Sequence, residues 1–335
     1  MNVATDAPSR PALRYHGGKF KMSSWIIDHF PEHVCYCEPF GGGASVLLRK
    51  PPAVLEVYND INSLVVNFFC VLRERPAELI AAIDLTPYSR EEFRLSQQPC
   101  DDPLELARRF YVWSWQGRGR AGVQEPGGWR FMSRGSRIPT PVGDWNNYDH
   151  LWAVARRMKQ VQIEHDDALK VIRRFDGAGT LFYVDPPYLQ GTRGDRWDNS
   201  AYKFEYTDDQ HKELATALLS INGMIVLSGY PNNLYDELLD GWHTVERRQA
   251  KDNGAKAATE VLWLSPRTWQ ALQCRYLKEQ TMGKKPDKTR KNYQPPPPLQ
   301  LARHACKCLV HYGSDPLCPK CGAICCPRHG CKECR

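Results

Sequence analysis

No apolar run in this 335-residue chain approaches the roughly 18 residues a membrane span requires, so no membrane partner is expected. Its first residues, Met1-Asn-Val-Ala-Thr-Asp-Ala-Pro8, lack the apolar core of a secretory signal, and the cytoplasm is the expected compartment. Nor is there a strong excess of one charge. Lys and Arg number 45 against 38 Asp and Glu, and a net +7 permits a nucleic-acid partner without demanding one. Cysteine is sparse before residue 306, where Cys35, Cys37, Cys70, Cys100 and Cys274 read as reduced thiols, mostly packed in apolar segments. The other eight of the thirteen crowd between Cys306 and Cys334, and in a chain without a secretory signal such crowding argues for metal over disulfides. The length allows about two domains with a sizeable core.

The stretch that carries the most chemistry is Leu181-Phe-Tyr-Val-Asp-Pro-Pro-Tyr188. Four apolar residues read as a buried strand, and two prolines that cannot donate to a sheet ladder end it. Left at the carboxyl edge of a sheet are the Asp185 carboxylate, the Pro186 carbonyl and the Tyr188 ring, and open α/β sheets bind ligands at that edge. The set suits methylation of an amine conjugated to a heteroaromatic ring. Such an amine is a poor nucleophile because its lone pair is delocalised. Two acceptors would hold its hydrogens and turn the lone pair toward an electrophile, while Tyr188 stacks on the base for roughly 1–3 kcal/mol. The plain alternative is a strand capped by a Pro-Pro turn and a packed tyrosine.

Residues 1–11 read as a disordered lead, followed by Leu13-Arg-Tyr-His-Gly-Gly-Lys19, in which two glycines permit close backbone approach beside a cation. Val34 to Phe40 reads as a strand, Gly41-Gly42-Gly43 as a turn and Ala44 to Arg49 as a helix start, together a nucleotide-type cradle. The strand Val54 to Tyr58 ends at Asn59-Asp60, about twenty residues on, and an acidic residue at that separation, Asp60, can accept hydrogen bonds from both ribose hydroxyls. A third strand, Val161 to Glu164, ends at His165-Asp166-Asp167. Thr207-Asp-Asp-Gln210 has the form of a capping box, and strands at Gly223–Ser228 and Thr259–Leu264 complete an α/β alternation. Between the second and third strands lies a loop-rich region in which Arg118, Arg120, Arg130, Arg134 and Arg137 are interleaved with Trp129, Phe131 and glycines. Arginines among aromatics on an insertion suit contacts to phosphates and base edges, although a solvated insertion would read the same way.

These motifs, in this order over roughly residues 12–266, resemble the Dam-like DNA adenine-N6 methyltransferases, which use S-adenosylmethionine (AdoMet). Tyr15-His-Gly-Gly-Lys19 resembles the family's N-terminal cofactor motif, Glu38-Pro-Phe-Gly-Gly-Gly43 its AdoMet loop and Asp60 its ribose-binding acid. Asp167 resembles the aspartate that holds the AdoMet adenine amine, and Asp185-Pro-Pro-Tyr188 the catalytic motif. Thr259-Glu-Val-Leu-Trp263 resembles the closing strand. The resemblance implies an α/β fold, a Rossmann-like AdoMet-dependent methyltransferase sheet, with a helical target-recognition domain inserted between Asp60 and Asp167. Its boundaries are expected at 12–75 and 160–268 for the catalytic domain and 76–159 for the insertion. Double-stranded DNA is the implied partner, and a monomer the expected state. Catalysis is assigned to Asp185, Pro186 and Tyr188. AdoMet binding is assigned to Tyr15, Gly18, Lys19, Glu38, Phe40, Gly41, Gly42, Asp60, Asp167 and Asp185, with Lys19 near the cofactor or the flipped base.

Residues 283–303 are basic and proline-rich and read as a semi-rigid linker. Beyond them, a module over 304–335 carries four ligand pairs suited to two structural Zn²⁺ ions. The pairs are Cys306 with Cys308, Cys318 with Cys321, Cys326 with His329, and Cys331 with Cys334. Cys325 and His304 or His311 are spare ligands, and a redox-active tail is the alternative. About 30 residues cannot bury enough core to fold alone, so metal would supply the folding free energy. This module stands outside the resemblance; it would add DNA affinity or bind a protein partner. Two other functions compete with the leading one. The first is methylation of RNA adenine or cytosine-N4 by the same fold, and the second a catalytically silent adaptor acting through the zinc tail.

Overall fold

Strands whose residues are apolar at every position must be covered on both faces, and that requirement organises this molecule. The computed structural model describes residues 7–119, 121–122, 127–133, 140–192, 203–249 and 258–281. The chain divides into two units, Met1–Gln294 and Pro295–Arg335. The linker expected over 283–303 lies outside the described residues, as do positions 1–6 of the expected lead. So do all eight expected zinc ligands: Cys306, Cys308, Cys318, Cys321, Cys326, His329, Cys331 and Cys334. The spare ligands Cys325, His304 and His311 lie outside as well.

In chain order the elements begin with α1 (Ser23–Asp28), β1 (Cys35–Glu38) and β2 (Leu55–Asn59). Six helices then run without an intervening strand: α2 (Ser63–Glu74), α3 (Pro76–Asp84), α4 (Arg90–Leu95), α5 (Pro103–Gln116), α6 (Pro141–Trp145) and α7 (His150–Met158). The alternation resumes with β3 (Gln162–Glu164), α8 (Ala168–Arg174), β4 (Thr180–Val184), α9 (Asp208–Ser220), β5 (Met224–Gly229) and α10 (Asn233–Leu238). Two antiparallel strands, β6 (His243–Gln249) and β7 (Ala258–Leu264), and α11 (Pro266–Thr281) complete the described elements. Polar residues cap many helix starts as their chemistry requires. Thr207 and Gln210 form the reciprocal capping box of α9, and Asn62, Ser89 and Asp102 accept backbone N–H groups at the heads of α2, α4 and α5.

The seven strands form one sheet in the order β3-β2-β1-β4-β5-β7-β6, parallel from β3 through β5, with β7 antiparallel to both neighbours. This is a doubly wound, Rossmann-like sheet whose order reverses between β1 and β4. Alternate strand residues feed two apolar layers. Tyr36, Tyr58, Leu181, Tyr183, Val226 and Leu262 face one layer, with α1, α2, α5 and α7. Cys37, Val57, Phe182, Val184, Leu227 and Trp263 face the other, with α8, α9 and α10. The helices of 76–159 share the first layer with the sheet rather than forming a core of their own: Phe68 of α2 stacks on Tyr111 of α5 at 6.1 Å.

The structure departs from the sequence reading in several places. Ala44 to Arg49, expected to start a helix, is a run of turns. Ala44 has a φ of 53°, a left-handed value that a non-glycine residue adopts at a cost, and Pro51-Pro52 follow at once. Strand β6 was not expected, because His243-Thr-Val-Glu-Arg-Arg-Gln249 is polar; it is an edge strand, paired on one side only, with β7. Helices α3, α6 and α11 were also unread, although Pro76, Pro141 and Pro266 each stand at the first helical position.

Candidate active site

At the β1/β4 switch point the crevice opens into a cavity of about 460 Å³. Its walls come from segments distant in sequence. The N-terminal loop contributes Tyr15, Gly18 and Lys19, and β1 with its turn contributes Glu38, Phe40, Gly41 and Gly42. The other strand ends add Asp60, Asp167, Asp185 and Pro186. The fold therefore gathers these residues into one chamber.

The glycine turn is shaped by contact. A Cβ at Gly41 would lie 2.2 Å from the Tyr58 ring, and Gly42 has a φ of +48°. Tyr58 donates its hydroxyl to the Gly42 carbonyl at 2.7 Å, which pins the turn. Asp60 accepts the N–H of Gly42 at 2.7 Å and of Asn62 at 2.8 Å. Burial pushes its carboxyl up to about 6 against those two bonds, which favour the charged form. Neighbouring Asn59, fully buried, donates to the carbonyls of Pro39 and Asp166 and accepts the Asp166 N–H at 2.9 Å, so one amide fixes the loops after three strands. Asp167 is exposed and caps α8, its carboxylate accepting the Lys170 N–H at 3.1 Å.

Glu38 is the odd acid. It is 2% exposed and accepts the Tyr36 hydroxyl at 2.6 Å, with no ion pair among the described residues. Burial raises its carboxyl to about 8, opposed by the Tyr36 hydroxyl and the Leu47 N–H and reinforced by the Asp185 charge. Burial therefore favours the protonated form of this acid in the chamber wall.

Asp185 is held from two sides. Ser228, at the end of the parallel neighbour β5, donates to Oδ1 at 2.7 Å, and Lys19 Nζ lies 2.9 Å from Oδ2. Lys19 is 7% exposed; its Nζ also donates to the Gly17 carbonyl at 2.9 Å and lies 3.8 Å from Glu260. Tyr188 does not line the main chamber. Its hydroxyl donates to Glu260, its ring lies 4.7 Å beneath Lys19 Nζ, and the Tyr230 ring meets it edge-on at 4.7 Å. Tyr188 is buried, 6% exposed.

The basic region contains a hairpin arm. Gly117 bridges Trp129, the Arg118 N–H donates to the Gly128 carbonyl, and the Arg130 N–H donates to the Gln116 carbonyl. Arg118 is exposed and lies over the Phe131 ring at 4.6 Å. The Arg130 guanidinium is taken up by Asp144 at 2.7 Å. Arg120, Arg134 and Arg137 lie outside the described residues. The arm also touches the chamber: Ala121 exchanges backbone hydrogen bonds with Arg14 and His16, and Gly122, at a φ of +89°, accepts the Lys203 N–H. A Cβ at Gly122 would lie 2.5 Å from the Tyr15 ring.

Sequence reasoning missed Ser228, Asn59 and Arg90. Ser228 carried a signal, as the polar residue ending an apolar strand. Arg90 carried none; it reaches the arm across sequence to lie over Trp129 at 4.7 Å. Among the described residues no group of three His, Cys, Asp or Glu could hold a metal ion. No described helix is long and apolar enough to cross a membrane.

Comparison with known proteins gives a family match. The model of the D12 class N6 adenine-specific DNA methyltransferases matches residues 15–251. A type II methyltransferase, M1.LlaDCHI, of Lactococcus lactis is 24% identical over 272 residues, 75% of this chain and 91% of the relative. A DNA adenine methylase of Salmonella typhi is 26% identical over 282 residues, 76% of this chain and 95% of the relative. Among solved structures, a SAM-dependent methyltransferase of Agrobacterium tumefaciens covers 74% of this chain and 62% of its own at 10% identity, with a TM-score of 0.33, too loose a likeness to argue from.

Proposed function

Since the chain belongs to the D12 class N6 adenine-specific DNA methyltransferase family, we propose that its chamber holds AdoMet and a flipped adenine side by side, with Asp185 as the acceptor for the adenine amine. The reaction is site-specific methylation of DNA at adenine N6. Family membership sets aside the RNA and cytosine-N4 alternatives and the silent adaptor. The observation that carries the site assignment is the anchoring of Asp185 at the chamber wall, between Ser228 Oγ at 2.7 Å and Lys19 Nζ at 2.9 Å.

The wall chemistry fits AdoMet. Gly41 and Gly42 leave backbone room, Asp60 offers a carboxylate to a ribose diol, and Glu38 offers a buried acid without a cation to the methionyl ammonium. Tyr15 and Phe40 supply apolar wall, and Asp167 is placed for the adenine amine of the cofactor. AdoMet supplies, when bound, a methyl group made electrophilic by sulfonium.

The chain's own residues do the rest. The target base must leave the helix stack, at a cost of a few kcal/mol. The Asp185 carboxylate and the Pro186 carbonyl accept hydrogen bonds from the two N6 hydrogens, and as the N–C bond forms and the S–C bond breaks one of these protons is released. A carboxylate has about four lone-pair sites, so both oxygens of Asp185 keep capacity beyond Ser228 and Lys19. Holding the amine this way turns its lone pair toward the methyl group, and such positioning is worth up to roughly 7–11 kcal/mol.

We assign target recognition to residues 76–159, with Arg118 and the hairpin arm on the DNA side. The tail we assign to zinc, held by Cys306, Cys308, Cys318, Cys321, Cys326, His329, Cys331 and Cys334. Seven thiols and one imidazole in four close pairs are a donor set that fits tetrahedral sites. Added DNA affinity or a protein partner falls to that tail, and the enzyme acts as a monomer.

The test is methyl transfer from labelled AdoMet to unmethylated genomic DNA, read by sequencing that detects N6-methyladenine. One short methylated motif is expected. Asp185→Ala is expected to abolish transfer with AdoMet binding intact, and wild-type-like turnover in that variant would remove Asp185 from its role.

A further inference from the structure

Lys50 belongs to the run of turns after the glycine loop and is 4% exposed. Its Nζ donates to the Glu56 carboxylate of β2 at 2.6 Å and to the Pro51 carbonyl at 2.6 Å. The same ammonium lies 4.4 Å from the centroid of the Tyr36 ring on β1. The Tyr36 hydroxyl, in turn, is the donor that holds Glu38 at 2.6 Å. A buried cation is thus seated on the face of the ring that grips the acid of the chamber wall.

Glu56 has other donors. Arg157 of α7 pairs with both of its oxygens, one of them at 2.7 Å, and the Ala53 N–H donates to it at 3.1 Å. Burial works against the charge of Lys50, and Glu56 helps to hold it. The Tyr36 ring gives that charge a use. A cation over the face of a phenol is attracted by the ring's negative quadrupole and draws electron density from it, which makes the hydroxyl a stronger donor. A stronger donor favours the charged form of the carboxylate that accepts from it. Burial opposes that form in Glu38, and pairing with an ammonium requires it.

We propose that Lys50 is a positioning residue for AdoMet: clamped by Glu56 on the Tyr36 ring, it fixes Tyr36 as the donor that keeps the Glu38 carboxylate ready for the methionyl ammonium. This rests on the reading of Glu38 as the acid that takes that ammonium. Lys50 is not among the residues lining the chamber and acts through Tyr36.

The test compares full-length wild type with Lys50→Met, Lys50→Arg, Tyr36→Phe and the Lys50→Met/Tyr36→Phe pair. Calorimetric titration gives the Kd of AdoMet and the fraction of protein competent to bind. Methyl transfer to unmethylated genomic DNA at saturating AdoMet, normalised by that fraction, gives kcat. Lys50→Met is expected to raise Kd about tenfold, the scale of a desolvated cation–π contact, with kcat within about twofold of wild type. Such a split marks an interaction made equally in ground and transition states. Lys50→Arg, which keeps a cation for the ring, should stay within about threefold of the wild-type Kd. Once Tyr36→Phe has removed the hydroxyl, Lys50→Met should cost less than about a further threefold, because its route to Glu38 is gone. Should Lys50→Met fail to fold, Lys50→Gln, which keeps a donor for Glu56 without the charge, takes its place on the same criteria. Wild-type Kd in Lys50→Met or in Tyr36→Phe would overturn the proposal. So would a loss from Lys50→Met that is undiminished on Tyr36→Phe, the sign of a loop merely displaced. Glu38→Gln tests the underlying reading separately. Wild-type affinity in that variant removes Glu38 from the ammonium, whereas weakened binding there beside an unchanged Lys50→Met removes Lys50 alone.

Discussion

Glu38→Gln exposes the electrostatic state of the empty chamber. Burial raises the Glu38 carboxyl to about 8, against an ordinary value of 4.5 for an unfolded chain. Between those two values the folded protein binds a proton that the unfolded chain has released. Stability contributed by this group is therefore fully present below about pH 4.5 and is lost as pH rises toward 8. Glutamine in place of Glu38 is neutral at every pH and can still accept the Tyr36 hydroxyl, so it escapes that loss. From the linkage relation, the stability of Glu38→Gln relative to wild type should grow by about 3–4 kcal/mol between pH 5 and pH 8. Comparing the two proteins cancels other titrations, including that of Asp60. The assay is urea unfolding of both proteins, stripped of AdoMet, at a series of pH values. A stability difference flat across that range would mean that Glu38 is ionised in the empty chamber, and the argument from burial would fail. The same substitution should weaken AdoMet binding, because a neutral amide cannot pair with the methionyl ammonium.

Two further predictions concern the DNA side and the tail. Arg118→Ala is expected to weaken DNA binding about equally across sequences and to lower the slope of log K against log salt by about 1, as loss of one phosphate contact should. Fluorescence anisotropy at several salt concentrations measures it, and an unchanged slope and affinity would take Arg118 off the DNA. The full chain, purified without chelators, should carry about two zinc ions by atomic absorption, four ligands to each. Chelation should remove them while leaving AdoMet affinity intact; a metal-free tail in the untreated protein would end the zinc assignment.

The parts of the chamber legible in the sequence were those built from local pattern. Glu38 and Asp185 each stand at a strand end and precede a proline, and Asp60 follows the strand Leu55–Asn59 two residues before the cap of α2, so their places on the carboxyl edge could be read from the chain alone. The residues that the sequence concealed act across long separations. Ser228 reaches Asp185 because two parallel strands are in register, and Asn59 reaches Asp166 across 107 residues. Arg130, read as free to meet phosphate, is claimed by Asp144, fourteen positions on and beyond a helix start. Tyr188 is a related case. Its neighbours in sequence place it at the mouth of the site, but the carboxylate that turns it inward, Glu260, comes from the far end of the sheet. Strand β6 was hidden because an edge strand needs no apolar face of its own.

The junction at Ala121 and Gly122 limits how the hairpin arm could be redesigned. An arm grafted from another methyltransferase to change the DNA word would meet its contact with the chamber at this junction. At these two positions it would have to match: Ala121 is fully buried, and Gly122 needs a left-handed backbone with no side chain against Tyr15. A graft carrying any larger residue at position 122 would displace Tyr15, and with it one wall of the cofactor chamber. Swapped recognition elements should therefore be cut to retain this dipeptide.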